Sequence, residues 1–305
     1  MTRRIFVATL VVTALVASGE MLAQENRPLV VASTTQVADF ARQVVGDRME
    51  VRSVLAPGAD PHLYEVKPSD AELVRQAAIC LENGMHLEGG DWMRKLAVAA
   101  GKEDELVTCT VGIKPIVLKA EGNQHVDDPH SWFTPLNAAV YVNNITQAVG
   151  KYDPQHKDEY QARARLYLEQ LRALHLWIRE QLSAIPPEQR ILVTSHDAFN
   201  YYCQAYGFEA RAPVGWSTGA EIGGGLTPAR RKTVVDSIRD SGVQAIFVET
   251  SVNPKLIREI AKEAGVAIGG TLYSDSMGGP GTAGETYVGM MRENTLHIAG
   301  ALKRK

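Results

Sequence analysis

Short apolar runs and amphipathic segments alternate along this chain and predict strands and helices in turn. Before residue 150, apolar runs predict strands at 29–33, 49–55, 78–81 and 106–110, and helical patterns fall at 35–45, 68–77, 92–100 and 134–149. After residue 185 the alternation returns, with strands predicted at 191–194, 208–212, 245–248 and 266–269 and helices at 198–206, 227–241, 254–264 and 285–302. Because this order is typical of parallel sheets covered on both faces, we predict an α/β protein with two lobes.

One long amphipathic segment, residues 153–185, separates the two halves. Its apolar residues recur three or four positions apart and are Tyr160, Tyr167, Leu171, Leu174, Ile178, Leu182 and Ile185. Prolines at 154 and at 186–187 bound it, and a helix of this length would run roughly 45 Å. We therefore predict an N-terminal lobe at 24–152, a rigid linking helix at 153–185 and a C-terminal lobe at 186–305.

Residues 1–23 have the pattern of an export signal. A basic start with Arg3 and Arg4 precedes an apolar run at 5–17, and small residues then suggest cleavage after Gly19 or Ala23. The run is shorter than the roughly 20 apolar residues that a spanning helix needs. No cysteine lies beside the predicted cleavage region, so we expect a periplasmic protein without a lipid anchor.

Composition and cysteine spacing narrow the classes of function. The 305 residues are 45% hydrophobic, which suffices for two cores, and the net charge of −3 without a basic tract argues against nucleic acid as a partner. None of the three cysteines has the CxxC spacing of a thiolate zinc site. Cys80 and Cys109 each end an apolar run, which leaves open either a disulfide or two buried thiols.

Four potential metal ligands each lie in a loop just after a predicted strand or at the mouth of a βα connection: His62, His130, His196 and Asp275. Ligands of open α/β sheets bind outside the carboxyl ends of the strands, so two facing lobes would bring these residues together. Three imidazoles and one carboxylate suit a divalent transition metal. Ligating histidines normally donate their second ring N–H to an acceptor, for which the candidates are Asp60, Asp128, Asp197, Glu221 and Glu249.

Five motifs surround these ligands in a fixed order: 57–65 with 68–70, Asn83-Gly84 with Leu87-Glu88, 128–132, 194–199, and 273–276. Together they resemble the cluster 9 (cluster A-I) metal-binding proteins of ABC importers for zinc and manganese, over essentially the whole chain after the predicted signal. The resemblance implies two lobes joined by a long rigid helix. It also implies one metal ion held between the lobes by His62, His130, His196 and Asp275, and delivery of that ion to a membrane permease.

The resemblance also bears on which metal is carried. Manganese-dedicated members often have a carboxylate at the position of His196, and zinc-dedicated members often have a His-rich loop where residues 119–128 offer only His125. The chain therefore resembles the mixed group with three histidines and one aspartate. We expect Zn(II) or Mn(II) as cargo, with Fe(II) as an alternative, one ion per monomeric chain and little domain motion on binding.

A secreted metallohydrolase with a His/Asp-bound metal is the alternative function. It would need an open coordination position and a general base, and the absence of an HExxH helix and the presence of four protein ligands argue against it. Ser195-His196-Asp197 is not a catalytic triad, because consecutive side chains diverge. His86 either lines the cleft or is structural, and His125 is expected in a loop; His156, His175 and His297 are expected on or beside helices.

Overall fold

The computed structural model describes residues 27–119, 125–211, 228–240, 242, 243 and 245–303. The predicted export signal lies outside these ranges, as does Glu221. Within them, no helix is both long and apolar enough to cross a membrane.

The N-terminal lobe is built on a four-stranded parallel sheet in the order β2-β1-β3-β4. Its strands are β1 (Leu29–Ala32), β2 (Glu50–Ser53), β3 (Ile79–Glu82) and β4 (Leu106–Thr108), and its helices are α1 (Thr35–Val45), α2 (Pro68–Gln76) and α3 (Trp92–Ala99). The central strands β1 and β3 are buried along their whole length, as expected for a parallel sheet covered on both faces.

Alternate residues of β1 show how the two faces are filled. Val30 packs in a cluster with Phe40 of α1, whereas Val31 packs with Val74 of α2 and Leu96 of α3. This alternation follows from the two-residue period of a strand. Helix α1 begins where predicted, because the Thr34 side chain accepts a hydrogen bond from the Val37 N–H and caps it.

A short antiparallel hairpin, which the sequence pattern did not predict, follows the first sheet. It pairs β5 (Val117–Lys119) with β6 (His125–Asp127) and leads directly into the loop that carries His130. Helix α4 (Pro135–Tyr152) then begins with a proline in its first turn. Thr134 caps its N-terminus, since Thr134 Oγ1 accepts a hydrogen bond from the Leu136 N–H at 3.3 Å.

The predicted long helix is confirmed as α5 (Lys157–Ser183), 27 residues long. A 3₁₀ turn, Pro154–His156, precedes it, so the start of the predicted segment is not α-helical. The buried residues of α5 belong to one hydrophobic cluster that also contains Tyr141 from α4 and Phe199 from the second half of the chain. The linking helix is therefore packed into a core that both halves share.

The C-terminal half repeats the α/β alternation. Its strands are β7 (Ile191–Val193), β8 (Glu209–Arg211), β9 (Ala245–Glu249) and β10 (Ala267–Leu272), and its helices are α6 (Asn200–Tyr206), α7 (Pro228–Asp240), α8 (Pro254–Ala264) and α9 (Tyr287–Leu302). β7 pairs in parallel with β8, β9 pairs in parallel with β10, and β7 contacts β9. The predicted fold class, two α/β lobes joined by one long helix, is confirmed.

The cysteines, all three of which lie in described parts of the chain, are buried free thiols. Cys80 and Cys109 are therefore two separate thiols rather than a disulfide. Each is completely buried, consistent with a small apolar side chain in a core.

We predict that Leu171→Ala on α5 lowers the free energy of unfolding of the metal-free protein by about 2–5 kcal/mol, because it leaves a cavity in the shared core. Leu171 is 1% exposed, whereas Leu166 on the same helix is 69% exposed. The control Leu166→Ala should change the unfolding free energy by no more than about 0.5 kcal/mol. Urea denaturation measures both values, and equal losses in the two variants would contradict the shared-core packing of α5.

Candidate metal centre

The four predicted ligands meet between the two halves of the molecule. One side-chain donor atom from each of His62, His130, His196 and Asp275 lies within 4.8 Å of the others. Nε2 of His130 lies 3.2 Å from Nε2 of His62 and 3.3 Å from Asp275 Oδ1, and Nε2 of His196 lies 3.2 Å from Asp275 Oδ2. His130, His196 and Asp275 are buried, and His62 is the partly exposed member.

Strand ends place these side chains. His62 follows β2, His196 follows β7 and Asp275 follows β10, so each lies beyond the carboxyl end of a parallel strand. His130 instead follows β6 of the hairpin. Two of the predicted ligands therefore come from each half of the chain, on either side of α5.

Asp128 fixes the orientation of His130. Its Oδ1 accepts hydrogen bonds from the His130 main-chain N–H at 2.9 Å and from His130 Nδ1 at 2.8 Å, so Nε2 faces the other ligands. Asn200 and Tyr201, from the other half of the chain, donate to Asp128 Oδ2 and to its main-chain carbonyl, each at 2.9 Å. Burial lowers the pKa of His130, but Asp128 and Asp275 outweigh it and raise that pKa to about 10.

Glu249 has the corresponding position beside His196. Its Oε1 accepts the His196 main-chain N–H at 3.0 Å, and its Oε2 lies 2.6 Å from His196 Nδ1 as a close ion-pair contact. Burial opposes charge on this ring as well, yet Asp275 and Glu249 together raise the pKa of His196 well above its usual value.

The His62 loop is held mainly through its backbone. Asp60 Oδ1 accepts the His62 N–H at 2.8 Å, and the Pro61 carbonyl accepts hydrogen bonds from Trp92 Nε1 at 2.9 Å and from the Gly89 N–H at 3.3 Å. A Cβ atom on Gly89 would lie 1.8 Å from the His62 carbonyl oxygen, so only glycine permits this approach. Burial lowers the pKa of His62 to about 3, although Asp275 opposes that shift.

Asp275 carries the negative charge of the centre. Burial would raise its pKa, but His196 and His130 bring it well below the usual value. Hydrogen bonds to the N-terminal lobe hold the residues on both sides of it. Gln36 Nε2 donates to the Ser274 carbonyl at 3.1 Å, and the Gly58 N–H donates to Ser276 Oγ at 2.7 Å.

Two donor atoms that face the other predicted ligands are buried without hydrogen bonds. His196 Nε2 and Asp275 Oδ1 have close ionic neighbours but no partner with hydrogen-bond geometry among the residues that the structure describes. Buried polar atoms in proteins are nearly always hydrogen-bonded, so unpartnered atoms that converge need another explanation. A divalent transition metal suits a set of three imidazole nitrogens and one carboxylate oxygen.

The acidic residues proposed as partners of the histidines differ in what they contact. Among the acidic candidates, Asp128 and Glu249 contact the rings of His130 and His196, Asp60 contacts the His62 backbone, and the main chain of Asp197 accepts a hydrogen bond from Asn200. Sequence reasoning missed Asn200, Tyr201 and Ser251, the last of which donates to Asp275 Oδ2 at 3.3 Å. Their contacts join residues far apart in sequence, so no local pattern signals them.

The remaining histidines lie outside this group. The side chain of His86 is 83% exposed and has Asp91 3.7 Å away, so it is a surface residue. His125 is exposed in β6 rather than in a loop. The other three contact side chains near or on helices: His156 with Asp153, His175 with Tyr206, and His297 with Glu293.

Known proteins resemble this chain along nearly its whole length. A family model described as zinc-uptake complex component A, periplasmic, matches residues 30–301. The manganese-binding lipoprotein MntA of Bacillus subtilis is 37% identical over 279 residues, covering 90% of this chain and 89% of that protein. The iron-binding protein YfeA of Yersinia pestis is 34% identical over 292 residues, covering 96% of this chain and 92% of that protein.

Solved structures agree in fold. The periplasmic zinc binding protein TroA from Treponema pallidum superposes with a TM-score of 0.83 at 30% identity, covering 92% of this chain and all of that one. The Mn-bound periplasmic metal binding protein from Candidatus Liberibacter asiaticus gives a TM-score of 0.79 at 27% identity, covering 90% of this chain. The family model and these relatives agree with the resemblance seen in the motifs, and the chain belongs to the family of periplasmic zinc-uptake complex component A proteins.

Proposed function

We propose that this protein captures one divalent transition metal ion between its lobes and delivers it to the membrane permease of an ABC importer. His62, His130, His196 and Asp275 are the proposed ligands. The observation that carries the proposal is the convergence of four donor atoms within 4.8 Å, two of them buried without a hydrogen bond. A divalent cation would supply the partner that these atoms lack.

The donor set defines the range of cargo. Relatives of this chain are named as manganese-binding and iron-binding proteins, and a structural neighbour as a zinc binding protein. Nitrogen-rich sites bind divalent metals in the order Mn(II), then Fe(II), then Zn(II) by increasing affinity. We propose that the site accepts all three in this order of affinity and that metal supply determines which ion is carried.

The partner and compartment follow from the same proposal. Several relatives are named as substrate-binding lipoproteins of metal ABC transporters, which supports a permease as the recipient. We propose that residues 1–23 direct export to the periplasm and that the lobes span 24–152 and 186–305, linked by 153–185. One chain provides all four donor atoms, so the proposed functional unit is a monomer.

The hydrolase alternative has less support. The relatives are named as metal-binding and transport proteins, and the centre already offers four protein donors. A catalytic metal site typically has three protein ligands and a water in an open position. The arrangement therefore favours binding and release of the ion over chemistry on a substrate.

We predict that the wild-type protein binds one Zn(II) per chain and that His130→Ala weakens binding by at least about 100-fold. Loss of a residue that merely supports a ligand typically costs about 10–100-fold in affinity, and loss of a ligand costs more. The control is His297→Ala, because His297 contacts Glu293 on α9 and lies outside the centre. Competition with a chromophoric chelator measures both affinities. Wild-type affinity in His130→Ala would remove His130 from the ligand set.

We also predict that metal binding releases protons. The raised pKa values of His130 and His196 favour an added proton on both rings in the metal-free protein, whereas the lowered pKa of His62, about 3, favours its neutral form. A ligand must lose its proton to coordinate, so binding near neutral pH should release about one to two protons, and affinity should fall as pH decreases.

Titration calorimetry in two buffers with different ionisation enthalpies measures this number. A comparison at pH 8 and pH 6 should show the weaker binding at pH 6. Binding without proton release, or with equal affinity at the two pH values, would contradict the assigned charge states.

A further inference from the structure

A buried carboxylate lies behind the two N-terminal ligand loops without touching the metal centre. Glu88 is 3% exposed, and its oxygens accept hydrogen bonds from Ser33 Oγ at 2.6 Å, the Asn83 N–H at 2.7 Å and the Gly84 N–H at 3.1 Å. Burying a carboxylate is costly unless hydrogen bonds satisfy it, and three donors do so here. Glu88 thereby joins the end of β1 to the turn that follows β3.

This turn reaches the residues on both sides of His130. The side chain of Asn83 donates from Nδ2 to the Pro129 carbonyl at 3.1 Å, and its Oδ1 accepts from Tyr141 OH at 2.6 Å. The same Tyr141 hydroxyl lies 2.6 Å from Ser131 Oγ. Asn83, whose N–H is bonded to Glu88, thus contacts the residue before His130 directly and the residue after it through Tyr141.

The other end of the same segment reaches His62. Gly89, next to Glu88, donates its N–H to the Pro61 carbonyl, and its Cα packs against the His62 main chain too closely for any Cβ. Trp92 donates to the same carbonyl through Nε1. One short segment, residues 83–92, therefore contacts both loops that carry N-terminal ligands.

We propose that Glu88 is a positioning residue for metal binding, because its carboxylate holds residues 83–92 as a bracket that sets the spacing of His62 and His130. This inference rests on the proposed metal-binding function. The two histidine rings lie 3.2 Å apart at Nε2, so a small shift of either loop changes whether one ion can reach both. Metal geometry tolerates little error in the positions of its ligands.

Glu82 offers a matched control for a purely structural role. It is also buried, at 5% exposure, and it lies at the end of β3. Its carboxylate contacts Arg94 and accepts a hydrogen bond from Thr108 Oγ1 at 2.7 Å. Neither of these partners is in a ligand loop, so loss of the Glu82 charge perturbs the same region without loosening the bracket.

The test compares Glu88→Gln with Glu82→Gln. In Glu88→Gln the new amide places a donor against backbone N–H groups, and we expect Zn(II) affinity to fall about tenfold, the lower end of the cost of losing a partner that orients a ligand. The visible absorption of bound Co(II), which reports coordination geometry, should shift. Glu82→Gln should lower the thermal midpoint of the metal-free protein but retain Zn(II) affinity within about twofold and the wild-type Co(II) spectrum.

A second pair of variants decides the question if Glu88→Gln does not fold. Tyr141→Phe removes the hydroxyl between Asn83 and Ser131 and keeps the buried ring. Tyr202→Phe is its control, because the Tyr202 hydroxyl contacts Thr295 on α9 and is not bonded to either ligand loop. Tyr141→Phe should weaken Zn(II) binding and shift the Co(II) spectrum, and Tyr202→Phe should do neither.

The outcomes separate the two proposals. If the wild-type protein binds one ion but a folded Glu88→Gln, or in its place Tyr141→Phe, matches its affinity and Co(II) spectrum, the bracket is wrong and the proposed function stands. The bracket is also wrong if Glu82→Gln changes affinity and spectrum as much as Glu88→Gln does. If the wild-type protein binds no Zn(II), Mn(II) or Co(II), the proposed function fails and the bracket fails with it.

Discussion

The buried carboxylate of Asp275, facing the rings of His130 and His196, is the constraint on which the rest of the centre depends. An ionised carboxylate out of water is stable only when positive charge and hydrogen bonds compensate it. The two histidine rings favour their protonated forms beside this carboxylate, so the pKa of Asp275 is lowered and those of His130 and His196 are raised. Protons and a metal ion therefore compete for one position.

This competition requires the two halves of the chain to be held in a fixed position relative to each other. The residues around Asp275 are hydrogen-bonded to the N-terminal lobe, where Thr35 Oγ1 accepts the Met277 N–H at 2.9 Å. Helix α5 packs into a core shared by both halves, and the rings of Phe40 and Tyr287 meet there with centroids 4.8 Å apart. A continuous helix in a shared core is a poor hinge, so we expect metal exchange to involve the ligand loops more than a wide separation of the lobes.

The sequence predicted the regular elements well because their signals are local. The apolar run at 29–33, the capping Thr34 and the spacing of apolar residues along α5 depend on neighbours in the chain. The hairpin of β5 and β6 was missed, because each strand has three residues and no clear alternation. The four proposed ligands could be picked out because each lies in a recognisable motif, and the structure brings their donor atoms within 4.8 Å of one another.

The supporting contacts of the site were harder to predict, and sequence distance explains the difference. Asp128 lies two residues before His130 and could be proposed as its partner, whereas Glu249 is 53 residues from His196 and was one of five acidic candidates. Asn200 reaches Asp128 across 72 residues, and only the packing of the two halves reveals it. Glu88 stood in a recognised motif, but its proposed role depends on hydrogen bonds to Ser33, 55 residues away, and to the turn at Asn83 and Gly84.

The most direct test of the central claim is a crystal structure of the Zn(II)-loaded protein with anomalous data collected at the zinc edge. The account predicts a single anomalous peak among the four side chains, at about 2.0–2.2 Å from Nε2 of His62, His130 and His196 and from a carboxylate oxygen of Asp275. A zinc ion bound elsewhere, or one that leaves any of these four side chains out of coordination range, would contradict it.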